Sequence, residues 1–311
     1  MVQDVGAHEF LHILTPLNLH SKEIADFNFK DPIMSQHLWL YEGVTEYFSW
    51  LVRIQNDMVS EEDFFKEMNQ KLNRSAEFGN FSFTEMSKNV LKPEFQKKYA
   101  DVYLKGAVMA MMLDQLLIKK SEGKYSLKHL MKDLMEKYGS LRPFDDEQLF
   151  NDIVELTYPE VGDFLNNHVK GHEPLPLDKY MNWFGYQYEA ESRVPTYYIA
   201  SLSVKLNDEG HIVVDELSSS SIGLSKGDVI TEVEGNKIGF GNFQDVWNRY
   251  FQFNPYPDAI TMKILRNGKE IESTGKPVAG HALKKHYFKN LISETGQPNL
   301  LKEAWLKGKY Q

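Results

Sequence analysis

Residues 5–14, VGAHEFLHIL, constrain this chain more than any other stretch. His8 and His12 are four residues apart, about 400° of rotation on an α-helix, so their imidazoles share one face, one turn apart. Both can reach a single ion. Glu9 is turned by about 100° from His8 and falls beside that ion rather than on it. That place suits a carboxylate taking a proton from a metal-activated water. The chain has no Cys, so thiolate ligation and disulfides are excluded and any metal must be held by His and carboxylates. Zinc is the ion this pattern favours.

A catalytic zinc needs a third protein ligand and one position left open. Within reach along the sequence are Asp26, Asp31, His37, Glu42 and Glu46. Glu42 is the strongest candidate. It sits in HLWLYEGVTEYFSW, whose apolar residues would press a second helix onto the first, and Gly43 after it permits close helix approach. Glu46, one turn on, suits a carboxylate that accepts from a ligand imidazole and fixes its tautomer. Hydrolysis also requires a donor for the developing oxyanion. Tyr103, in YLKG, can supply a hydroxyl, and Tyr99 one turn earlier competes with it; residue chemistry alone leaves both open.

The pattern up to about Lys170 is helical. A short helix is expected from Val2 to Leu14, stopping near Pro16. A second is expected over Ser35–Met58, and another starts with Ser60 as N-cap and acids in its first turn. YADVYLKGAVMAMMLDQLLIKK is apolar on most sides and reads as a buried helix. After Arg193 the texture becomes β-branched and alternating, with an Asn-Gly hairpin signal in LRNGKEI and one helical stretch, FQDVWNRYF. The expected division is a helical catalytic region 1–176, a linker 177–193, a β-rich domain 194–278 and a helical tail 279–311. The fold class is multidomain α and β.

HEFLH, LWLYEGVTEYF and YLKGAVMAMMLD, in that order, resemble the gluzincin zinc metallopeptidases. Within them the chain is similar to the glycyl aminopeptidase family, the sixty-first metallopeptidase family. The resemblance extends over nearly all of the chain, including SLKHLMKDL, GHEPLPL and LLKEAWL. It implies a thermolysin-like, mainly α catalytic subdomain and a C-terminal PDZ domain. It implies an aminopeptidase of glycyl or alanyl type acting on peptide substrates. It implies one zinc held by His8, His12 and Glu42, with Glu9 as base and Tyr103 as the transition-state donor. GLSKGDVITEVEGNKI is similar to PDZ domains of bacterial proteases, which bind peptide C-termini by strand addition. TYYIASLSV, where the carboxylate loop should lie, lacks the glycines usual there. The 29 residues between His12 and Glu42 exceed the spacing of the best-known gluzincins, so this loop is expected to shape the substrate pocket. The family also places a β domain before the His-Glu-x-x-His helix, where it helps hold the substrate's α-amine.

MVQDVGAHEF has neither the basic nor the apolar region of a signal peptide and reads like the middle of a folded domain. The sequence is therefore expected to be a piece of a longer protein whose N-terminal β domain is a partner. Uncovered, the apolar residues Val5, Phe10, Leu11, Ile13 and Leu14 would leave the chain self-associated or locally disordered over residues 1–14. A net charge of -9 and no Lys/Arg cluster argue against nucleic acid. No apolar run approaches the roughly 20 residues of a membrane span. A Cys-free chain suits cytosol, bacterial periplasm or cell surface equally. The rival function is a catalytically inactive PDZ peptide-binding module.

Overall fold

The computed structural model describes residues 2–243, 245–247, 258–291 and 299–310. They form two compact units, residues 1–191 with 285–311, and residues 192–284. The architecture mixes helices with antiparallel sheet.

The first unit begins with α1 (Val2–Leu11) and α2 (Lys22–Ala25). A π-helical turn, Trp39–Val44, runs straight into α3 (Thr45–Gln55), and α4 (Glu61–Ser75) follows. Next come α5 (Phe83–Lys88), α6 (Pro93–Gln96), α7 (Asp101–Lys120) and α8 (Leu127–Lys137). α9 (Leu149–Leu156), α10 (Pro159–Phe164), a second π-helical turn at Leu165–Lys170 and α11 (Leu177–Trp183) complete the series.

α7 is the axis of this unit. Val102 to Ile118 are buried almost without interruption, apart from Tyr103, as a helix apolar on all sides requires. α4 starts where its residues dictate. Ser60 Oγ accepts from Asp63 N at 3.0 Å in a capping box, and Glu61, Glu62 and Asp63 lie at the positive end of the helix dipole. The last helix, α12 (Leu300–Lys307), returns to this core. Its Trp305 is fully buried against Phe64, Phe184 and Tyr186, and its indole N–H donates to Tyr47 Oη at 2.8 Å.

Strands β1 (Tyr186–Tyr198) and β8 (Val278–Asn290) pair with each other. In the second unit β2 (Ala200–Leu206), β3 (Ile212–Ser220), β4 (Val229–Val233), β6 (Ile260–Arg266) and β7 (Lys269–Gly275) form an antiparallel sheet in that order. β5 (Asn236–Lys237) joins β4. Ile212, Val214, Ile230, Val233, Ile260, Met262 and Ile264 alternate into its core. Asn267 and Gly268, with φ of 52° and 75°, make the tight β6–β7 turn that Asn-Gly favours. Asp228, buried, takes two 2.7 Å hydrogen bonds from the Arg266 guanidinium.

Several expected boundaries move. α1 ends at Leu11, not Leu14. The 35–58 segment is a π-helical turn plus α3, not one regular helix. Residues 177–193 are not a linker: Leu177, Tyr180 and Met181 of α11 are buried in the core, and β1 starts at Tyr186. The tail 279–311 begins as strand β8 and is helical only over Leu300–Lys307. Both errors have one cause. A Pro- and Gly-flanked segment reads as a linker, and β8 reads as a tail, until partners far away in sequence bury or pair them. FQDVWNRYF lies partly outside the described residues.

Candidate metal centre

The helix α1, the π-helical turn and α7 bring the chemistry together. Gly43 and Gly106 explain how closely they pack. A Cβ on Gly43 would lie 2.8 Å from the Gly106 carbonyl carbon and 2.9 Å from its Cα and O, so only glycine permits this crossing. Glu42 precedes one glycine and Tyr103 lies three residues before the other, so the contact sets the spacing between carboxylate and phenol.

One ligand atom each from His8, His12 and Glu42 lie within 4.8 Å of one another, the one such group among the described residues. Glu42 Oε2 is 3.4 Å from His8 Nε2 and 3.6 Å from His12 Nε2. The other ring nitrogens are committed elsewhere. His8 Nδ1 lies 2.8 Å from Glu46 Oε2, and His12 Nδ1 lies 2.9 Å from the Thr15 carbonyl. With both Nδ1 atoms donating, both Nε2 lone pairs are left for an ion, the tautomer that ligating imidazoles use. Two imidazoles and a carboxylate are a donor set suited to zinc. The residues present fit that ion.

The same carboxylates also favour a proton on His8. Burial works to lower the His8 pKa, but Glu42 and Glu46 outweigh it and raise it to about 9. An ion binding there displaces a proton. Glu46 is held below the usual carboxylate range: burial pushes it up, and His8 and Lys71 more than reverse this.

Tyr103 stands 5.7 Å from the His8 ring, centroid to centroid, and its Oη is 3.0 Å from Tyr99 Oη. Burial first, then Tyr99 and the Glu42 charge, push the Tyr103 hydroxyl far above its ordinary pKa. It stays protonated and able to donate. Tyr99 is raised too, chiefly by burial. Glu9 is solvent-exposed and stands outside the three-residue group.

Asp26 and Asp31 are exposed and outside the group. His37 is buried elsewhere, with Nε2 2.9 Å from the Asp146 carbonyl and Nδ1 accepting from Trp39 Nε1 at 3.1 Å. Sequence reasoning missed Lys71 on α4, whose Nζ lies 2.6 Å from Glu46 Oε1. Locally it reads as an ordinary i,i+4 partner of Glu67, which it also contacts at 3.1 Å.

The arrangement defines a mixed α and β protein with a helix-borne His-His-Glu centre. Residues 2–109 match the family model described as M61 glycyl aminopeptidase. The crystal structure of an aminopeptidase N family protein from Idiomarina loihiensis shares the fold, with a TM-score of 0.59 at 21% identity. The match takes in 98% of this chain and 54% of that one, so the chain spans about half the length of that relative. An HtrA-type protease, AlgW with tripeptide, aligns over 28% of this chain and 33% of its own at 22% identity, with a TM-score of only 0.23. No curated protein matches the sequence.

Proposed function

We propose that the chain carries the catalytic centre of a zinc-dependent aminopeptidase that removes small N-terminal residues, of glycyl or alanyl type, from peptides. The observation that carries this reading is the convergence of His8, His12 and Glu42 donor atoms within 4.8 Å. These three residues would hold one zinc ion. When bound, the ion supplies Lewis acidity toward a peptide carbonyl and acidifies water near neutral pH.

The protein's own groups do the rest. Glu46 and the Thr15 carbonyl hold the two imidazoles in the tautomer that leaves Nε2 unprotonated. Glu9, exposed on the same helix, accepts the proton of the attacking water and returns it to the leaving amine. Tyr103 Oη donates to the developing oxyanion, and Tyr99 Oη at 3.0 Å limits its rotation. The substrate's α-amine would be held in part by a β domain lying over α1, which the family resemblance implies. The exposed side chains of Val5, Phe10 and Ile13 suit such a cover. The second unit is read as a PDZ domain whose β2 edge would accept a peptide C-terminus, although the segment before it lacks glycine.

Metal analysis and a peptidase assay with a glycyl-anilide test this. His8→Ala and Glu42→Ala should each abolish stoichiometric zinc, while His20→Ala should not. In a full-length form Glu9→Gln should keep zinc and lose nearly all turnover, and Tyr103→Phe should lose a factor of roughly 10² to 10³. Zinc that survives Glu42→Ala refutes the ligand set. A zinc-loaded, full-length protein that cleaves nothing leaves a peptide-binding module.

A further inference from the structure

Glu46, which lies 2.8 Å from His8 Nδ1, is itself held from behind. We propose that Lys71 is a positioning residue of the metal centre: it fixes one oxygen of Glu46 and thereby aims the other at His8 Nδ1. The inference rests on the reading of His8, His12 and Glu42 as ligands.

The geometry is a three-residue chain drawn from three helices. Lys71 Nζ on α4 is 2.6 Å from Glu46 Oε1, and Glu46 Oε2 on α3 is 2.8 Å from His8 Nδ1 on α1. The last torsion of a Glu side chain is broad, so a carboxylate gripped at one oxygen turns readily. Donors on both oxygens remove that freedom. His8 then has one acceptor in one direction, and its Nε2 keeps its aim.

The burial of Lys71 calls for a reason. It is only 5% exposed, and lysine is almost never so deep unless paired. It also pairs with its helical neighbour Glu67 at 3.1 Å, a contact that a surface position would allow equally well. A buried ion pair is weak ground for stability, because desolvation offsets much of the attraction. α4 contributes none of the three clustered ligands. Lys71 links it, through Glu46, to His8.

Charge and positioning predict opposite signs. A cation near a zinc site repels the ion, so its deletion would tighten binding if charge alone mattered. Loss of a residue that orients a ligand weakens binding, typically by about tenfold to a hundredfold. The sign therefore separates the two.

The test is zinc affinity by chelator competition on the full chain, comparing the parent with Lys71→Met, Lys71→Gln, Glu46→Gln and the doubles. Both single Lys71 variants should bind zinc at least about tenfold more weakly. Added to Glu46→Gln, they should cause no further loss, because Lys71 acts through Glu46. Zinc held as tightly as by the parent, or more tightly, overturns the proposal. So does an undiminished loss in the Glu46→Gln background. If Lys71→Met does not fold, Lys71→Gln decides; failure of both to fold assigns Lys71 to the fold instead. A parent chain that binds no zinc sinks the metal-site reading itself, an outcome distinct from unchanged affinity in the variants.

Discussion

Replacing Gly43 by alanine tests the contact on which the whole site is spaced. The new Cβ would stand 2.8 Å from the Gly106 carbonyl carbon and 2.9 Å from its Cα and O. Carbon atoms settle at about 3.5–4.0 Å, so the π-helical turn and α7 would have to part by roughly 0.7–1 Å. All three opposing atoms are backbone in the middle of a buried helix, and no side chain can swing aside. Overpacking of this kind costs about 1–3 kcal/mol, of which alanine returns about 0.5–1 through its lower backbone entropy. A net loss of about 1–2 kcal/mol lowers Tm by several degrees in a domain of about 200 residues. Glu42 and Tyr103 would shift with their helices, and a displacement near 1 Å is worth about 10²-fold in rate. Gly106→Ala is the control. Its Cβ meets Gly43 Cα at 3.2 Å and nothing else closer than 3.8 Å, so its cost should be smaller. Thermal unfolding of both variants, with zinc content, provides the readout. A Gly43→Ala protein with parental Tm and zinc, or a Gly106→Ala protein that suffers more, would refute this account of the packing.

Other consequences follow from buried charge and exposed apolar surface. Burial raises Asp114 from 3.8 to about 6 despite hydrogen bonds from Tyr47 and the Leu127 N–H. That contribution to stability is full below pH 3.8 and is lost as pH rises through 6. The stability of Asp114→Asn relative to the parent should therefore improve between pH 4 and 7, by up to about 3 kcal/mol, in urea titrations; a flat difference refutes it. Asp228 has the opposite sign. Burial pushes it up, but Arg266 and the Ser225 N–H hold it below the usual range, so its contribution is present at neutral pH and fades under acid. Asp228→Ala should destabilise the second unit more at pH 7 than under acid, read from its unfolding, and a loss independent of pH would discount the pair. Phe10, 68% exposed, and Val5, 57% exposed, should drive concentration-dependent association of the chain. Sedimentation should show Val5→Asp/Phe10→Asp shifted toward monomer; a parent monomeric at every concentration removes the expectation.

Periodicity exposed the helical half of this chain because helices bury faces at local spacing. His8, His12, Glu42 and Glu46 were legible for the same reason: each pair lies four apart, and four residues make one turn. The capping box at Ser60 and the Asn267-Gly268 turn were legible because their chemistry is complete within a few residues. α11 and β8 were not, since their identity depends on what packs against them from afar. The exposed face of α1 was half legible. Val5, Phe10 and Ile13 are exposed as their positions suggest, but Leu11 and Leu14 turn inward and pack against the core. The π-helical turn escaped because one extra residue in a turn leaves no mark on an apolar run.

Lys71 marks the deeper limit, and it shows why. In the sequence it has a sufficient partner four residues away in Glu67, and nothing asks for another. In the fold its Nζ reaches 2.6 Å from a carboxylate 25 residues distant, which itself lies 38 residues from the imidazole it orients. Ligands of a metal centre are readable because coordination demands particular atoms at particular spacings. The groups that aim those ligands answer only to a place in space, and any helix that passes can supply them. A residue of this kind is found by asking why a buried lysine is buried, a question that only the folded chain raises.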